Sequence, residues 1–457
     1  MFVKLFATKD TFITDHFIGD SSDRATGSNM GKSEILDVFA DKNRLLNDEI
    51  ELGRILIYFD LTPLDKYNID YASFSASLLL YNSIHSLTQP SSFDLYIHPV
   101  TKLWDEGNGL DHFTTSDTSR FLDRGYANWM SASSVMGWAN PGGDYDDDYS
   151  GSMHFDTGYE DLECNITDTL LSQLTGSLTN YGYMVKLGIL EETNDVDYFI
   201  KMFYSAQSHN YDKRPQLVIY WDDLIEDDRA NLVKGQSQNL FLYNKFNEEY
   251  IDLSISESDI KVNITTLPNM SGSIIISSGS ASKFNTGIYE TSFIVPFATS
   301  GSILYDYWID TANNQIIASG SFNILSDTSK LYEILQKKYV VNISNLHRTY
   351  NENEVVTLRV MTTSTETEYD HLFSQPYDGA PRILKNMYFE ISNLYSEEII
   401  IPISDKTKLS YDYLGNFFTL DMSMFSEGEV YKIQFYSSVS GELKKLITDQ
   451  EFIFKLV

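Results

Sequence analysis

The sequence predicts an all-β protein: a large N-terminal β-sandwich of jelly-roll type followed by two small immunoglobulin-like β-sandwiches. Three observations predict it. Short alternating or apolar runs sit between clusters of Gly, Asn, Asp, Ser and Pro, the pattern of antiparallel strands. The chain carries 31 Tyr and 27 Phe, residues that suit a pleated, half-buried surface. Turn signals recur about every 8 to 14 residues in the second half, as in small sandwiches.

The first strands read KDTFITDHF (Lys9 to Phe17), GSNMGKSEILDVF (Gly27 to Phe39), LGRILIYFDL (Leu52 to Leu61), FSASLLLYNSI (Phe74 to Ile84) and FDLYIHPVTKLWDEG (Phe93 to Gly107). In LGRILIYFDL, Ile55, Ile57 and Phe59 alternate with Arg54, Leu56, Tyr58 and Asp60. One face is therefore apolar and the other mixed, which predicts a sheet packed on one side. Three more strands follow at Tyr181 to Leu190, Asp197 to Gln207 and Arg214 to Asp223. Between Asn108 and Glu163 lies a long stretch of low periodicity, rich in Gly, Ser, Asp and aromatics; loops of this length carry function or an interface. One helix is predicted over Ile166 to Ser177, capped by Thr167 or Asp168 and buried through Leu170, Leu171 and Leu174.

These signals divide the chain into three domains: 1–223 with the long loop insertion, 232–327 and 338–457. A length of 457 residues agrees with roughly three domains of about 150 residues each. The acidic stretch Asp222 to Asp228 is expected to be an exposed boundary, and Asp327 to Val340 a linker.

Net charge is −32, from 65 acidic and 33 basic residues, which repels phosphate backbones and argues against a nucleic-acid partner. Cys164 is the sole cysteine, so neither an internal disulfide nor a thiolate zinc site is available. No apolar run is long enough to span a membrane, and the first residues, MFVKLFATKD, do not read as a signal peptide.

Candidate sites are few. Trp104, Trp129 and Trp138 fall in or beside the long loop, as interface anchors, a sugar-stacking surface or core. Asp144, Asp146 and Asp148 alternate in a Gly-flanked loop, the spacing of a calcium site, although the bidentate Glu and turn Gly of an EF-hand are missing. A solvated acidic loop is the competing reading, and no other cofactor is expected. The histidines form no HxH, HxxxH or HExxH pair, and the sequence has neither a GxSxG elbow nor a GxxxxGK[ST] loop. A non-enzymatic protein is expected.

The first segment resembles the DNRLRE-type β-sandwich family. Its elements appear in order: a DT[YF][IV] strand, N-x-G-x-[SA], a basic residue before an apolar FDL strand, A-x-L-x-L-Y, then V-x-x-W-x-E. Asp10, Asn29, Gly31, Ser33, Arg54, Phe59, Asp60, Leu61, Leu78, Leu80, Tyr81, Val100, Trp104 and Glu106 stand at those positions, except that three residues rather than two separate Val100 from Trp104. The family resembles carbohydrate-associated modules of secreted bacterial proteins. The layout through RPQLVIYWDD and onward is similar to tailed-phage virion structural proteins, in which such a domain precedes further β-sandwiches. The resemblance implies a structural component of the tail, baseplate or neck, built in several copies in a bacterial cytoplasm beside other virion proteins. The alternative is an adhesin for host-surface polysaccharide; a polysaccharide-degrading enzyme is the third reading, without a visible acid/base pair.

Overall fold

The computed structural model describes residues 1–18, 22–43, 49–85, 88–110, 126–230, 232–247, 249–268, 275–299, 303–325, 339–364, 383–439, 441–448 and 450–457. The chain is all-β, with 49% of residues in strands and 7% helical. It divides into two compact units, Met1–Asp222 with Ser423–Ser426, and Asp223–Met422 with Glu427–Val457.

The first unit is a β-sandwich. Its strands are β1 (Phe2–Phe6), β2 (Lys9–Thr14), β3 (Ile35–Asn43), β4 (Glu49–Tyr58), β5 (Ser75–Leu80), β6 (Phe93–Pro99), β7 (Gly151–Phe155), β8 (Leu162–Asn165), β9 (Tyr183–Leu187), β10 (Tyr198–Tyr204) and β11 (Gln216–Tyr220). One sheet has the order β1-β11-β5-β8; the other runs β10-β3-β4-β9-β6-β7, with β2 also paired to β4. Alternate residues of both sheets meet between them: Val3, Leu78 and Ile219 from one, Ile55, Ile57, Leu95 and Val185 from the other, all buried in one core.

Two local expectations need correction. In GSNMGKSEILDVF the strand begins only at Ile35, and Gly27 to Glu34 form turns. The helix, α1, spans Thr167–Leu174 and buries Leu170, but no side chain caps it. Thr167 Oγ1 instead accepts from the Ala76 N–H at 3.0 Å, tying the helix start to β5. The side-chain acceptor at this end is Asn165, whose Oδ1 takes the Thr167 N–H at 3.0 Å.

The second unit holds two immunoglobulin-like sandwiches. In the first, a five-stranded sheet containing Ile260–Thr265, Ile303–Asp310 and Gln315–Leu325 faces a three-stranded sheet of Ser237–Tyr243, Ser282–Asn285 and Ile288–Ile294. Trp308, Val262, Leu240 and Tyr289 fill the space between them. In the second, Val355–Ser364 and Gly415–Asp421 lie in one sheet, and Met387–Asn393, Val430–Val439 and Phe452–Leu456 in the other. Residues 327–338 of the expected linker, with both boundaries, fall outside the described residues, and its last two, Tyr339 and Val340, belong to the strand Tyr339–Ile343.

The division between the units falls after Asp222, at the head of the acidic stretch, but the stretch is not exposed as expected. Asp227 is fully buried, and Asp228 and Ile225 are nearly so. The backbone runs beside Ser410–Asp412: Tyr411 N–H donates to Ile225 O at 2.8 Å, and Asp227 N–H to Tyr411 O at 3.0 Å. Asp228 receives Lys385 Nζ at 2.5 Å and the Tyr411 hydroxyl at 3.1 Å on one oxygen, and the Asn239 N–H at 3.1 Å on the other. Arg229 forms a two-pronged pair with Asp306 at 2.7 and 2.9 Å. Carboxylates supplied with this many donors can be buried, and here they bind both small sandwiches to one segment.

Candidate functional site

The outer face of the larger first-unit sheet carries a second core. Leu56 of β4, Ile13 of β2 and Met184 of β9 point away from the main core, and Val100, Trp104, Ala127, Trp129, Ala132 and Trp138 pack on them. Trp104, Trp129 and Trp138 are the bulk of that cover, at 1%, 6% and 8% exposure. Trp104 Nε1 donates to Tyr181 O at 2.9 Å and Trp138 Nε1 to Asn128 O at 2.8 Å, so the polar edge of each ring is satisfied inside the unit. The rings are thus neither an open sugar platform nor anchors left for a neighbouring subunit; they are packing within their own chain. The exposed apolar side chains nearby are Leu103, Met130, Val135 and Met136.

A polar network joins this cover to the sheet. Arg54 donates to both oxygens of Glu192 at 3.0 and 2.7 Å and to Gly142 O at 2.9 Å, with its guanidinium 5.2 Å from the Trp129 ring centre. Lys186 adds a second cation 3.3 Å from Glu192. Burial pushes the Lys186 amine below its usual range, and Glu192 opposes that shift.

Beside the network opens a cleft of about 540 Å³. Its wall is a turn that Asp144 organises. The Asp144 carboxylate accepts the N–H groups of Ala139 and Asn140 at 2.7 and 2.9 Å and pairs with Lys102 at 2.6 Å. Burial alone would raise its pKa, but these donors hold it below the ordinary carboxylate range. Gly142 and Gly143 complete the turn at φ of +90° and +96°. A Cβ on Gly143 would lie 2.2 Å from Met184 Cε, so glycine lets the turn sit on the outer core.

The proposed calcium ligands do not converge. Asp144 spends its oxygens on the turn and Lys102, Asp146 caps the Asp148 N–H at 3.0 Å, and Asp148 is exposed. Among the described residues no group of three or more His, Cys, Asp or Glu side chains is placed to hold a metal. His112 and His371 lie outside the described residues.

Four of the residues that carry the DNRLRE resemblance, Asp10, Asn29, Gly31 and Glu106, meet elsewhere in this unit. Asn29 Nδ2 donates to Glu106 O and Ala127 O at 2.7 and 2.8 Å, and its Oδ1 accepts from Gly31 and Gly109 N–H at 3.2 and 3.0 Å. Glu106 pairs with Lys32 at 2.6 Å and accepts the Asp10 N–H at 3.2 Å. A Cβ at Gly31 would stand 2.1 Å from Glu106 O, which requires glycine there. Asp10 accepts the Ala206 N–H at 2.5 Å, and burial pushes its carboxyl up to about 7. With 1% exposure it cannot reach a substrate, and the cluster acts as a clasp between strand starts and loops.

One buried cation had no sequence signal. Lys201 on β10 is fully buried, because the register of β10 shifts between Tyr198 and Lys201. Its Nζ donates to Asn82 Oδ1, Gly158 O and Glu160 O at 2.5, 2.7 and 2.9 Å and lies 4.8 Å from the Phe203 ring centre. Burial lowers its pKa to about 8.

No family model matches the chain, and no curated protein does. Among solved structures, the fibronectin(III)-like modules of Clostridium thermocellum CbhA align at 11% identity and a TM-score of 0.15, over 51% of this chain and 93% of that one. Escherichia coli alpha-2-macroglobulin activated by porcine elastase aligns at 12% and 0.19, over 51% of this chain and 20% of that one. The Yersinia pseudotuberculosis adhesin InvE aligns at 11% and 0.14, over 50% and 56%. Similarity at this level carries no conclusion about activity or partners.

Among the described residues no helix is long and apolar enough to cross a membrane.

Proposed function

We propose that the chain is a non-enzymatic structural component of a tailed bacteriophage particle, placed in the tail, baseplate or neck and present in several copies. The observation that carries this reading is the clasp. Asp10, the Asn29–Gly31 pair and Glu106 come from three separate stretches of the sequence and all stand in the motifs; in space they share one hydrogen-bonded cluster. Residues that jointly fix a fold are the ones a related domain retains, so the clasp supports the likeness to DNRLRE-type virion domains. Two immunoglobulin-like sandwiches in the second unit agree with the layout of that group. Rigid sandwiches suit a particle because each presents sheet edges and faces to its neighbours.

The test is direct. Virions purified from the phage that encodes this sequence should contain the full chain at a fixed ratio to the tail-tube subunit, by quantitative mass spectrometry. Antibody to the second unit should label one region of the particle in electron micrographs. Virions that lack the chain would overturn the proposal.

A further inference from the structure

Lys201 is buried without a counter-ion. Among the described residues no carboxylate pairs with it, and its three hydrogen bonds all go to neutral carbonyl oxygens, those of Asn82, Gly158 and Glu160. The rings of Phe203 and Phe155 are centred 4.8 and 5.2 Å from Nζ. Such surroundings favour the neutral amine over the ammonium, and burial accordingly brings the pKa down to about 8. A neutral lysine amine is a nucleophile.

An electrophile stands against it. The shortest of the three bonds, 2.5 Å, joins Nζ to the side-chain Oδ1 of Asn82. The backbone holds both residues in place. Ser83 N–H donates to Met202 O at 2.9 Å, Tyr204 N–H to Tyr81 O at 3.1 Å, and Asn82 N–H to Asp161 Oδ1 at 2.7 Å. Two groups fixed in this way react as if at very high concentration, because no freedom of motion is lost on approach. Glu160 supplies a carboxylate close enough for its charge to act on Lys201. Its Oε1 accepts the Thr157 N–H and hydroxyl, both at 2.8 Å, whereas its Oε2 is buried and has no hydrogen-bond partner. Burial raises the pKa of this carboxyl, but Thr157 and nearby N–H groups outweigh it and hold the value at about 2. Glu160 is therefore ionised and able to take up a proton.

We propose that Lys201 and Asn82 join in an intramolecular amide bond. Nζ of Lys201 attacks Cγ of Asn82, the Nζ–Cγ bond forms and the Cγ–Nδ2 bond breaks. Glu160 relays one amine proton to Nδ2, which leaves as ammonia. No atom changes oxidation state and no co-reactant enters. Lys201 lies on β10 of the larger sheet, and Asn82 follows β5 of the smaller one. The bond ties the two sheets together across 119 residues, in a chain whose sole cysteine offers no disulfide for that purpose. It requires only the first unit and holds whether or not the chain is a particle component.

The experiment is mass spectrometry of the purified full chain after denaturation. The chain is expected to be lighter than its sequence requires by one ammonia. Digestion with trypsin should then give a branched peptide that contains both Asn82 and Lys201, with no cut after Lys201. Asn82→Ala and Lys201→Arg should each show the full mass of their sequences. Glu160→Gln should leave most chains unbonded. A parent chain at full sequence mass, with Asn82 and Lys201 recovered in separate linear peptides, would overturn the proposal, and this readout does not depend on any variant folding. Loss of ammonia that persists in Asn82→Ala would place the reaction elsewhere and overturn it equally. Complete bonding in Glu160→Gln would overturn the role given to Glu160.

Discussion

At the scale of single residues, buried charge decides more than surface charge. Two buried aspartates, Asp10 in the first unit and Asp227 in the second, are pushed by burial from an ordinary 3.8 up to about 7. In the folded state each holds its proton where the unfolded chain has released it. Their contribution to stability is therefore complete below about pH 3.8 and is lost as pH rises through about 7. Asp10→Asn removes one of these titrations and keeps the shape. Urea denaturation of both proteins across that window should show the stability of the parent, relative to Asp10→Asn, falling steadily as pH rises. A difference that stays flat would mean that Asp10 is ionised in the fold. The clasp around it was partly legible: Asn29, Gly31 and Glu106 stood out by motif, because a glycine against a backbone and an amide with four bonds leave little choice of residue. Lys201 was not legible, since a lysine in an alternating strand reads as solvent-facing until a register shift turns it inward.

At the scale of elements, β4 shows what alternation reveals and what it conceals. Ile55, Ile57 and Phe59 define the inward face as the period predicts. The opposite face, read as mixed, carries Leu56 under Val100, Trp104, Trp129 and Trp138, and Arg54 bonded to Gly142, so the strand is buried on both sides. Trp129 and Trp138 of the long loop belong to a second core layer. Trp138→Ala should accordingly lower the stability of the first unit by about 3–5 kcal/mol, the range for a buried aromatic cut to alanine. Thermal or urea melts measure it. A variant as stable as the parent would show that the ring is not part of the core. The helix was legible from Leu170 and its neighbours, whereas its cap was not, because Thr167 is drawn to β5, a partner 91 residues away.

At the scale of the whole molecule, the segment after Asp222 is less exposed than its composition suggests. Composition alone made it a boundary open to proteases, but its carboxylates are spent on Lys385, Lys408, Tyr411 and its own backbone. Arg229, with a side-chain exposure of 19% and a two-pronged partner in Asp306, should escape trypsin under conditions that cut at Lys444, which is 62% exposed. Mass spectrometry of early fragments decides this, and prompt cleavage after Arg229 would show that the segment is not clamped.

What the sequence determined by itself was the fold class and the position of most strands, because the two-residue period and turn chemistry act over a few neighbours. Residues of the clasp were named only through a family resemblance, and that they meet was not read from the sequence. What only the tertiary structure decided was which polar groups are buried and which aromatics are free. Arg54 meets Glu192 across 138 residues, and Asp228 meets Tyr411 across 183. Contacts at such separations leave no local periodicity, and a carboxylate destined for a buried clamp is written with the same letter as one bound for solvent. The cleft belongs to this second class: it exists because Asp144, Lys102 and two left-handed glycines close a turn over a sheet face formed by strands far away in the chain.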